Sequence, residues 1–497
     1  MSARPIAWTI AGSDSGGGAG IQADLHTFQA IGVHGCSVIT AVTAQNSVGV
    51  RDIAYLPATH VAAQIAALHD DLPACVIKIG MLGNASAISA IVDYLQSFKG
   101  TVIVDPVMVS TSGSVLLPDD IKQLMIQRLF PRAGLLTPNL FEAEKITESS
   151  IRTPQDMEKA AQQILLLGPR RVLLKGGHRI DNDCNDYWTD GRESFWLNQV
   201  RLPHANTHGS GCTLSAAIAA YLAQGYAWRD ALVMSKIYVT QCIRHAKPLG
   251  RGPGPVTPGP WPLHSPDLPT ATIMPLMKVS TQNIFPSCGK TPLGLYPIID
   301  SSDWIEKLLP LGITTIQLRI KNKTGKALEK EIQRAVQLAE HHQARLFIND
   351  YWELAIRYGA YGVHLGQEDL AHANINAIHR AGLRLGISTH SPYEIARARA
   401  LCPSYIAFGP IFPTTSKAMS FPPQGLERLQ YWQRCLDYPV VAIGGIGLSE
   451  FDAVLATGVS GIAMISAITL APDPIQTVDK LLNKGQQWRV HRETLHQ

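Results

Sequence analysis

Two patterns alternate along the chain. Short apolar runs, closed by glycine or by polar clusters, are separated by longer segments in which apolar residues return every three or four positions. In the first half the apolar runs fall at 5–12, 36–44, 75–81, 101–107, 134–137 and 171–175. The first ends in Ala11-Gly12-Ser13-Asp14-Ser15-Gly16-Gly17-Gly18-Ala19-Gly20, and a helical period follows over 21–32. Strand, turn and helix in repetition predict an α/β domain, a parallel sheet with helices on both faces. Segments 184–188 and 194–197, joined across Asp190-Gly191, predict an antiparallel hairpin at its edge. From 247 to 269 proline and glycine dominate. That stretch cannot hold a helix and reads as a semi-rigid, polyproline-like connection. The expected organisation is a domain over 1–249, a linker over 250–290 and a second domain over 291–497. In the second half apolar runs fall at 294–300, 315–320, 345–350, 362–366, 383–388, 405–408, 440–444 and 461–466. Eight β-runs with helical stretches between most of them predict a compact (β/α)8 barrel.

The chemistry-bearing residues gather where such folds place ligands, at the C-terminal ends of strands. In the first half, Asn206-Thr207-His208-Gly209-Ser210-Gly211-Cys212 runs into an Ala/Ile/Leu-rich helical segment, 216–222. A Gly-Ser-Gly turn opening a helix aims unpaired N–H groups and the positive end of the dipole one way, which suits a phosphoryl group. Cys212, on that first turn, is expected to have a lowered thiol pKa and to face a substrate hydroxyl. The string alone describes equally well a helix N-cap with a buried structural cysteine. The glycine loop at 12–20 lets backbone approach a ligand, and Asp14 or Asp24 can hold a polar group there. A tight packing turn fits that string too, and it is not a Walker A loop, because no Gly-Lys-Ser/Thr follows. Gln45 carries an amide able to pair with an aminopyrimidine edge, with Met81 as an apolar neighbour. Asp105 and Glu142 suit Mg²⁺ beside a triphosphate, directly or through water, and Asn139 and Lys175 share their strand ends.

Five strings in order carry a resemblance. They are Ala11-Gly12-Ser13-Asp14 with Gly17-Gly18-Ala19-Gly20-Ile21-Gln22-Ala23-Asp24, then Asp105-Pro106-Val107-Met108, Thr137-Pro138-Asn139 with Glu142-Ala143, Lys175-Gly176-Gly177-His178 and Gly209-Ser210-Gly211-Cys212-Thr213. Over about residues 1–250 the chain resembles hydroxymethylpyrimidine kinase/phosphomethylpyrimidine kinase of the ribokinase superfamily. The resemblance implies a ribokinase-like, doubly wound domain and two successive ATP-dependent phosphorylations, giving the pyrimidine monophosphate and then the diphosphate. It implies that Gln45, Gly12, Ala19, Asp24 and Met81 line the pyrimidine pocket. Gly209, Ser210, Gly211 and Cys212 would form the anion hole, with Cys212 the general base. Ser210 stands where threonine is more usual.

In the barrel half, the alternation of Gln317-Leu318-Arg319-Ile320-Lys321 puts Gln317, Arg319 and Lys321 on one face. Asp350 and Asp369, from adjacent strands, suit one Mg²⁺, and Arg319, Lys321 and Lys417 suit a diphosphate on it. Gly444-Gly445 after the seventh run and Ile465-Ser466 after the eighth fall where such barrels bind phosphate. Together with Ile348-Asn349-Asp350-Tyr351, Val363-His364-Leu365-Gly366-Gln367-Glu368-Asp369, Gly386-Ile387-Ser388 and Gly409-Pro410-Ile411-Phe412-Pro413-Thr414, these strings resemble thiamine-phosphate synthase over nearly all of 291–485. The resemblance implies condensation of the pyrimidine diphosphate with thiazole phosphate. By it, Gln317, Arg319, Lys321, Asn349, Ser388 and Lys417 would hold the pyrimidine diphosphate. Thr414, Ser416, Gly445, Ile465 and Ser466 would hold the thiazole phosphate, and Asp350 and Asp369 the metal. The family's Thr-x-Thr is Thr414-Thr415-Ser416 here, which keeps the hydroxyl and loses a methyl.

Composition narrows the remaining classes. Across 497 residues, 46% are hydrophobic and 16% charged, as in an ordinary globular chain long enough for two domains. A net charge of +4 gives no reason to expect nucleic acid. There is no uninterrupted apolar window of about 18 residues, so no membrane span is expected. The N-terminal residues lack a signal-peptide core, and the eight scattered cysteines read as reduced thiols of a cytoplasmic protein. The expected partners are small molecules: hydroxymethylpyrimidine and its phosphates, thiazole phosphate, and ATP with Mg²⁺. A homodimer through the first domain is expected by analogy alone. Two rival readings are a kinase half that acts on a pyridoxal-like heterocycle, and one catalytically silent half serving as a ligand-binding or assembly module.

Overall fold

The computed structural model describes residues 4–108, 118–177, 183–261, 264–275, 284–414 and 421–495, with side chains as far as 488. The chain forms two compact units, Met1–Val279 and Ser280–Gln497.

The first unit is built on strands β1 (Ile6–Asp14), β2 (His34–Asn46), β3 (Gly49–Tyr55), β4 (Val76–Ile79), β5 (Thr101–Val104), β6 (Leu135–Leu136), β7 (Val172–Leu174), β8 (Asp186–Thr189), β9 (Ser194–Asn198) and β10 (Thr270–Thr272). They form one sheet in the order β10-β9-β8-β7-β6-β5-β4-β1-β2-β3. β1 is almost continuously buried and pairs in parallel with β2 on one side and β4 on the other. An unbroken apolar run is what a strand covered on both faces requires. The strand order therefore reverses between β1 and β4, opening a crevice beyond their C-terminal ends. The expected hairpin is present as β8 and β9, antiparallel.

Two features depart from the expected pattern. β3 is a half-exposed edge strand, antiparallel to β2, and has no continuous apolar run to announce it. The Pro/Gly-rich stretch, expected to be a connection, is over most of its length part of the first unit. Gly254 N–H donates to Asn206 Oδ1 at 3.0 Å, Val256 N–H to the His208 carbonyl at 3.0 Å, and Thr257 N–H to the Cys242 carbonyl at 3.1 Å. The Trp261 ring stacks on His245, and β10 extends the sheet along β9. Proline limits helix here to the single 3-10 turn Ser265–Asp267, but the remaining N–H groups still need partners, and the unit's own loops supply many of them. Residues 284–290 likewise pack on the second unit, where Phe285 N–H donates to the Cys402 carbonyl and Ser404 Oγ to the Pro286 carbonyl.

The second unit is a closed parallel barrel of β11 (Gly294–Ile299), β12 (Thr315–Leu318), β13 (Arg345–Asn349), β14 (Gly362–Leu365), β15 (Arg384–Thr389), β16 (Tyr405–Phe408), β17 (Val440–Ile443) and β18 (Gly461–Met464). All eight expected runs are strands. Tyr296, Ile298, Phe347, Tyr405, Ala407, Val441 and Ala463 form one buried cluster with Cys288 and Leu293. Among the described residues no helix is long and apolar enough to cross a membrane.

Candidate active sites

In the first unit two glycine loops meet at the crevice. Asp14, at the end of β1, accepts N–H groups from Gly16 at 2.8 Å, Gly18 at 3.1 Å and Ala19 at 2.9 Å, and His208 Nε2 lies 3.6 Å away. Burial alone would raise the Asp14 carboxyl, but His208 and the Gly16 and Ala19 N–H groups hold it below its ordinary value. Asp14 thus shapes the loop from within. Gly209 sits at φ +77°, and a Cβ there would lie 1.9 Å from the Gly18 carbonyl oxygen, so only glycine lets the loops touch. Ser210 opens the helix Ser210–Ala223. A Cβ on Gly211 would stand 3.4 Å from Lys175 Nζ and 3.8 Å from Asp105 Oδ2. The helix-opening turn therefore faces the Asp105–Lys175 pair.

Asp105 is buried at the end of β5. Its Oδ1 accepts from Lys175 Nζ at 2.8 Å and Thr137 Oγ1 at 3.1 Å, and Oδ2 from Ser215 Oγ at 3.3 Å. Burial raises this carboxyl, yet Lys175 and Lys78 outweigh it and hold Asp105 below its ordinary value. Asn139 and Glu142 form a capping box on the helix Leu140–Thr147, with each side chain bonded to the other's backbone N–H. Burial pushes the Glu142 carboxyl up to about 7, against the pull of Lys175. Gln45 lies at the β2–β3 turn, where Ser15 bonds both its N–H and its carbonyl. Gly12 and Met81 are neighbours, since a Cβ on Gly12 would lie 3.4 Å from Met81 Sδ. Ala19 is the N-cap residue of the helix Gly20–Ile31.

Two residues sit in surroundings that the motifs did not announce. Asp24 is fully buried, and its carboxylate is taken by Thr9 Oγ1 at 2.6 Å and by Lys78 Nζ at 2.7 and 3.0 Å. Both of its oxygens have partners within the chain. Burial would lower the Lys78 ammonium, but Asp24, Cys212 and Asp105 outweigh it and raise it. Nothing in the sequence marked Lys78, which reads as a polar interruption of a buried strand. The other is Cys212, whose expected lowered pKa needs correction. It is half-buried by area, but dense surroundings desolvate its sulfur and push the thiol up to about 11, not down. Lys78 and the Gly20 N–H favour the thiolate, while Asp24 and Asp105 oppose it. Helix-terminal stabilisation, the basis of the original expectation, is outweighed by burial.

The Asp24–Lys78 pair gives a stability prediction. Lys78→Met strands a carboxylate in the core and is expected to destabilise the first unit by about 3–5 kcal/mol. The double variant Asp24→Asn/Lys78→Met is expected to recover part of that loss. Denaturant unfolding followed by fluorescence would measure both, and an additive double variant would contradict the pairing.

In the second unit the strand ends hold a polar ring. Asp350 follows β13 at φ +66°, and its Oδ2 meets Lys321 Nζ at 2.5 Å. Asp369 accepts the Gly366 N–H at 3.1 Å and faces Asp350 within hydrogen-bond reach. Burial, and then the Asp350 charge, raise the Asp369 carboxyl. Asn349 ends β13 and is buried, as is Gln317 on β12. Arg319 follows β12 and its charge acts on His364, whose Nε2 lies 2.8 Å from Ser388 Oγ. Gln367 was not singled out as a site residue. Its Nε2 donates to the Ser388 carbonyl at 2.7 Å, and its buried Oε1 has no hydrogen-bond partner. Gly445, at φ +69°, packs so that a Cβ would lie 2.5 Å from the carbonyl oxygens of Phe412 and Pro413, which brings β17 against the loop carrying Thr414. Ile465 precedes the one-turn helix Ser466–Thr469. Ser416 and Lys417 lie outside the described residues.

Each half of the chain matches a known family. Residues 14–257 match the phosphomethylpyrimidine kinase family and residues 295–468 the thiamine monophosphate synthase family. The chain is 35% identical to the chloroplastic thiamine biosynthetic bifunctional enzyme of Arabidopsis thaliana, over 97% of this chain and 92% of that one. It is 58% identical to the thiamine-phosphate synthase of Photorhabdus laumondii, over 38% of this chain and 88% of that one. A pyridoxal kinase structure from Staphylococcus aureus superposes with a TM-score of 0.50 at 31% identity, covering 55% of this chain and 99% of that one.

Proposed function

The chain belongs to the family of bifunctional thiamine biosynthetic enzymes, with a phosphomethylpyrimidine kinase half and a thiamine-phosphate synthase half, and from that premise we propose how the residues of each site divide the work. The kinase half phosphorylates hydroxymethylpyrimidine and then its monophosphate, using ATP. Gln45, Gly12, Ala19 and Met81 line the pyrimidine pocket, and Asp24 acts at one remove by holding Lys78. The turn Gly209 to Cys212 receives the moving phosphoryl group, and Cys212 takes the proton from the attacking hydroxyl. Lys175 draws charge from the triphosphate. The observation that carries this reading is the Gly211 turn set against the Asp105–Lys175 pair, with Cys212 the next residue. Asp105 and Glu142 already have hydrogen-bond partners, so their donor set fits Mg²⁺ held through water.

The synthase half joins the pyrimidine diphosphate to thiazole phosphate. Arg319, Lys321 and Lys417 bind the diphosphate, and Gln317, Asn349 and Ser388 orient the pyrimidine. Thr414, Ser416, Gly445, Ile465 and Ser466 hold the thiazole phosphate. The bond from the pyrimidine methylene carbon to oxygen breaks, diphosphate leaves with both electrons, and the thiazole nitrogen supplies the pair for the new C–N bond. No protein nucleophile is required, and the side chains act by leaving-group electrostatics and positioning. Two facing carboxylates beside a lysine fit Mg²⁺, which Asp350 and Asp369 would hold and which, when bound, neutralises charge on the diphosphate.

The test is a coupled assay on the full chain with hydroxymethylpyrimidine, ATP, Mg²⁺ and thiazole phosphate. Thiamine phosphate detected by mass is the expected result. Product formed only when pyrimidine diphosphate is supplied would overturn the kinase reading, and no product even then the synthase reading. The likeness to a pyridoxal kinase favours one second reading, that the kinase half also accepts pyridoxal. Competition between pyridoxal and hydroxymethylpyrimidine for one kinase site would decide it.

A further inference from the structure

Inside the barrel, four side chains from four strands form an unbroken hydrogen-bonded line. The hydroxyls of Tyr296 on β11 and Tyr405 on β16 are 2.9 Å apart. The Tyr405 hydroxyl lies 2.7 Å from His364 Nδ1 on β14, and His364 Nε2 lies 2.8 Å from Ser388 Oγ on β15. At the far end Gln317 Nε2 donates to the Tyr296 oxygen at 3.4 Å. Tyr296, Tyr405 and His364 are all buried. The protons of such a line must run one way, and its far end decides which. The Gln317 amide nitrogen can only donate, so the Tyr296 O–H turns from it toward Tyr405. Tyr405 then donates to Nδ1, and a neutral imidazole has its single N–H on Nε2, directed at Ser388. The opposite direction would set the Tyr296 O–H against the Gln317 N–H, leaving buried donors unpaired. His364 is buried, and an Nδ1 that accepts from Tyr405 carries no proton of its own, which leaves the ring's single N–H on Nε2.

We propose that Tyr405 and His364 are positioning residues that make Ser388 accept from the protein and donate its own O–H outward, to an acceptor atom of the pyrimidine diphosphate. This rests on the reading of Ser388 as a ligand-binding residue. The Gln367–Ser388 contact holds the same residue's backbone, so both backbone and hydroxyl are fixed before a ligand arrives.

The experiment has two readouts on the full chain. In ¹⁵N-histidine NMR, His364, assigned through the signal missing from His364→Gln, should show the Nε2–H tautomer. Tyr405→Phe keeps the ring and removes the donor, and should lose that single tautomer. An Nδ1–H tautomer in the wild-type protein would overturn the proposal even if neither tyrosine variant folds. In synthase assays Tyr405→Phe should lower kcat/KM about three- to tenfold, the value of one hydrogen bond. Tyr296→Phe should change it less, because Tyr405 can still donate to His364. Tyr405→Phe/Ser388→Ala should be no worse than Ser388→Ala alone; additive losses would mean a merely structural tyrosine and overturn the proposal. Ser388→Ala at wild-type rate with the Nε2–H tautomer present would instead overturn the ligand role of Ser388, and the proposal with it.

Discussion

Cys212→Ala is expected to lower the kinase kcat/KM by about 10²–10⁴-fold, the range for a lost general base. The same protein should form thiamine phosphate from supplied pyrimidine diphosphate at the wild-type rate. Alanine is the residue best tolerated in a helix, and the turn's N–H groups belong to the backbone, so the anion site stays intact. The pH dependence is a sharper test. Burial holds the Cys212 thiol near 11 in the free protein. Below that value the thiolate fraction grows about tenfold for each pH unit, so kinase kcat/KM should climb from pH 7 toward 10. Above about pH 8 the climb should vanish in Cys212→Ala, because Glu142, pushed up to about 7, is already ionised there and no thiol remains to titrate. A folded Cys212→Ala protein that loses both activities equally would end the proposed division of labour. A flat wild-type profile would remove Cys212 as the base while leaving the anion turn in place.

Asp350→Asn should reduce synthase kcat/KM by about 10²–10³-fold, the scale for losing one preorganised electrostatic partner of a leaving group, while kinase activity is unchanged. Asparagine is the informative replacement. Asp350 sits at φ +66°, a conformation asparagine adopts with little strain, so the loop should survive. Only the charge is removed, and with it the partner of Lys321. The Asp350 charge also raises the Asp369 carboxyl, so its removal should bring Asp369 down and leave it ionised at lower pH. Half-saturation by Mg²⁺ in the synthase assay should move to higher concentration. An unchanged Mg²⁺ requirement at full rate would refute the assignment of this pair to the metal.

Much of this was legible from residue order alone. Apolar runs of strand length separated by helical periods led to both architectures, because a strand buried on two faces tolerates few polar residues. β3 escaped for the same reason: an exposed edge strand needs no apolar run. The Pro/Gly-rich stretch misled because composition reports which conformations are forbidden, not which neighbours are near. That residues 254–257 bond Asn206, His208 and Cys242 became visible only once the sheet had brought those residues to one side.

The sites divide along the same line. Motif order determined which residues stand at strand ends, since the strand-turn-helix grammar is local. Charge states and hydrogen-bond direction were decided by tertiary structure. Cys212 was expected to be acidic from its place on a helix, yet its thiol is raised by what surrounds it, including Asp24 from another element. Asp24, expected at the ligand pocket, is also half of a buried pair with Lys78, 54 positions away, which no motif announced. Tyr296, Tyr405, His364 and Ser388 meet only because barrel closure sets their strands around one interior. Backbone grammar depends on neighbours in sequence, whereas desolvation and Coulomb energy depend on neighbours in space. The chain's order therefore determined where its chemistry stands, and the fold alone decided what each group there can do.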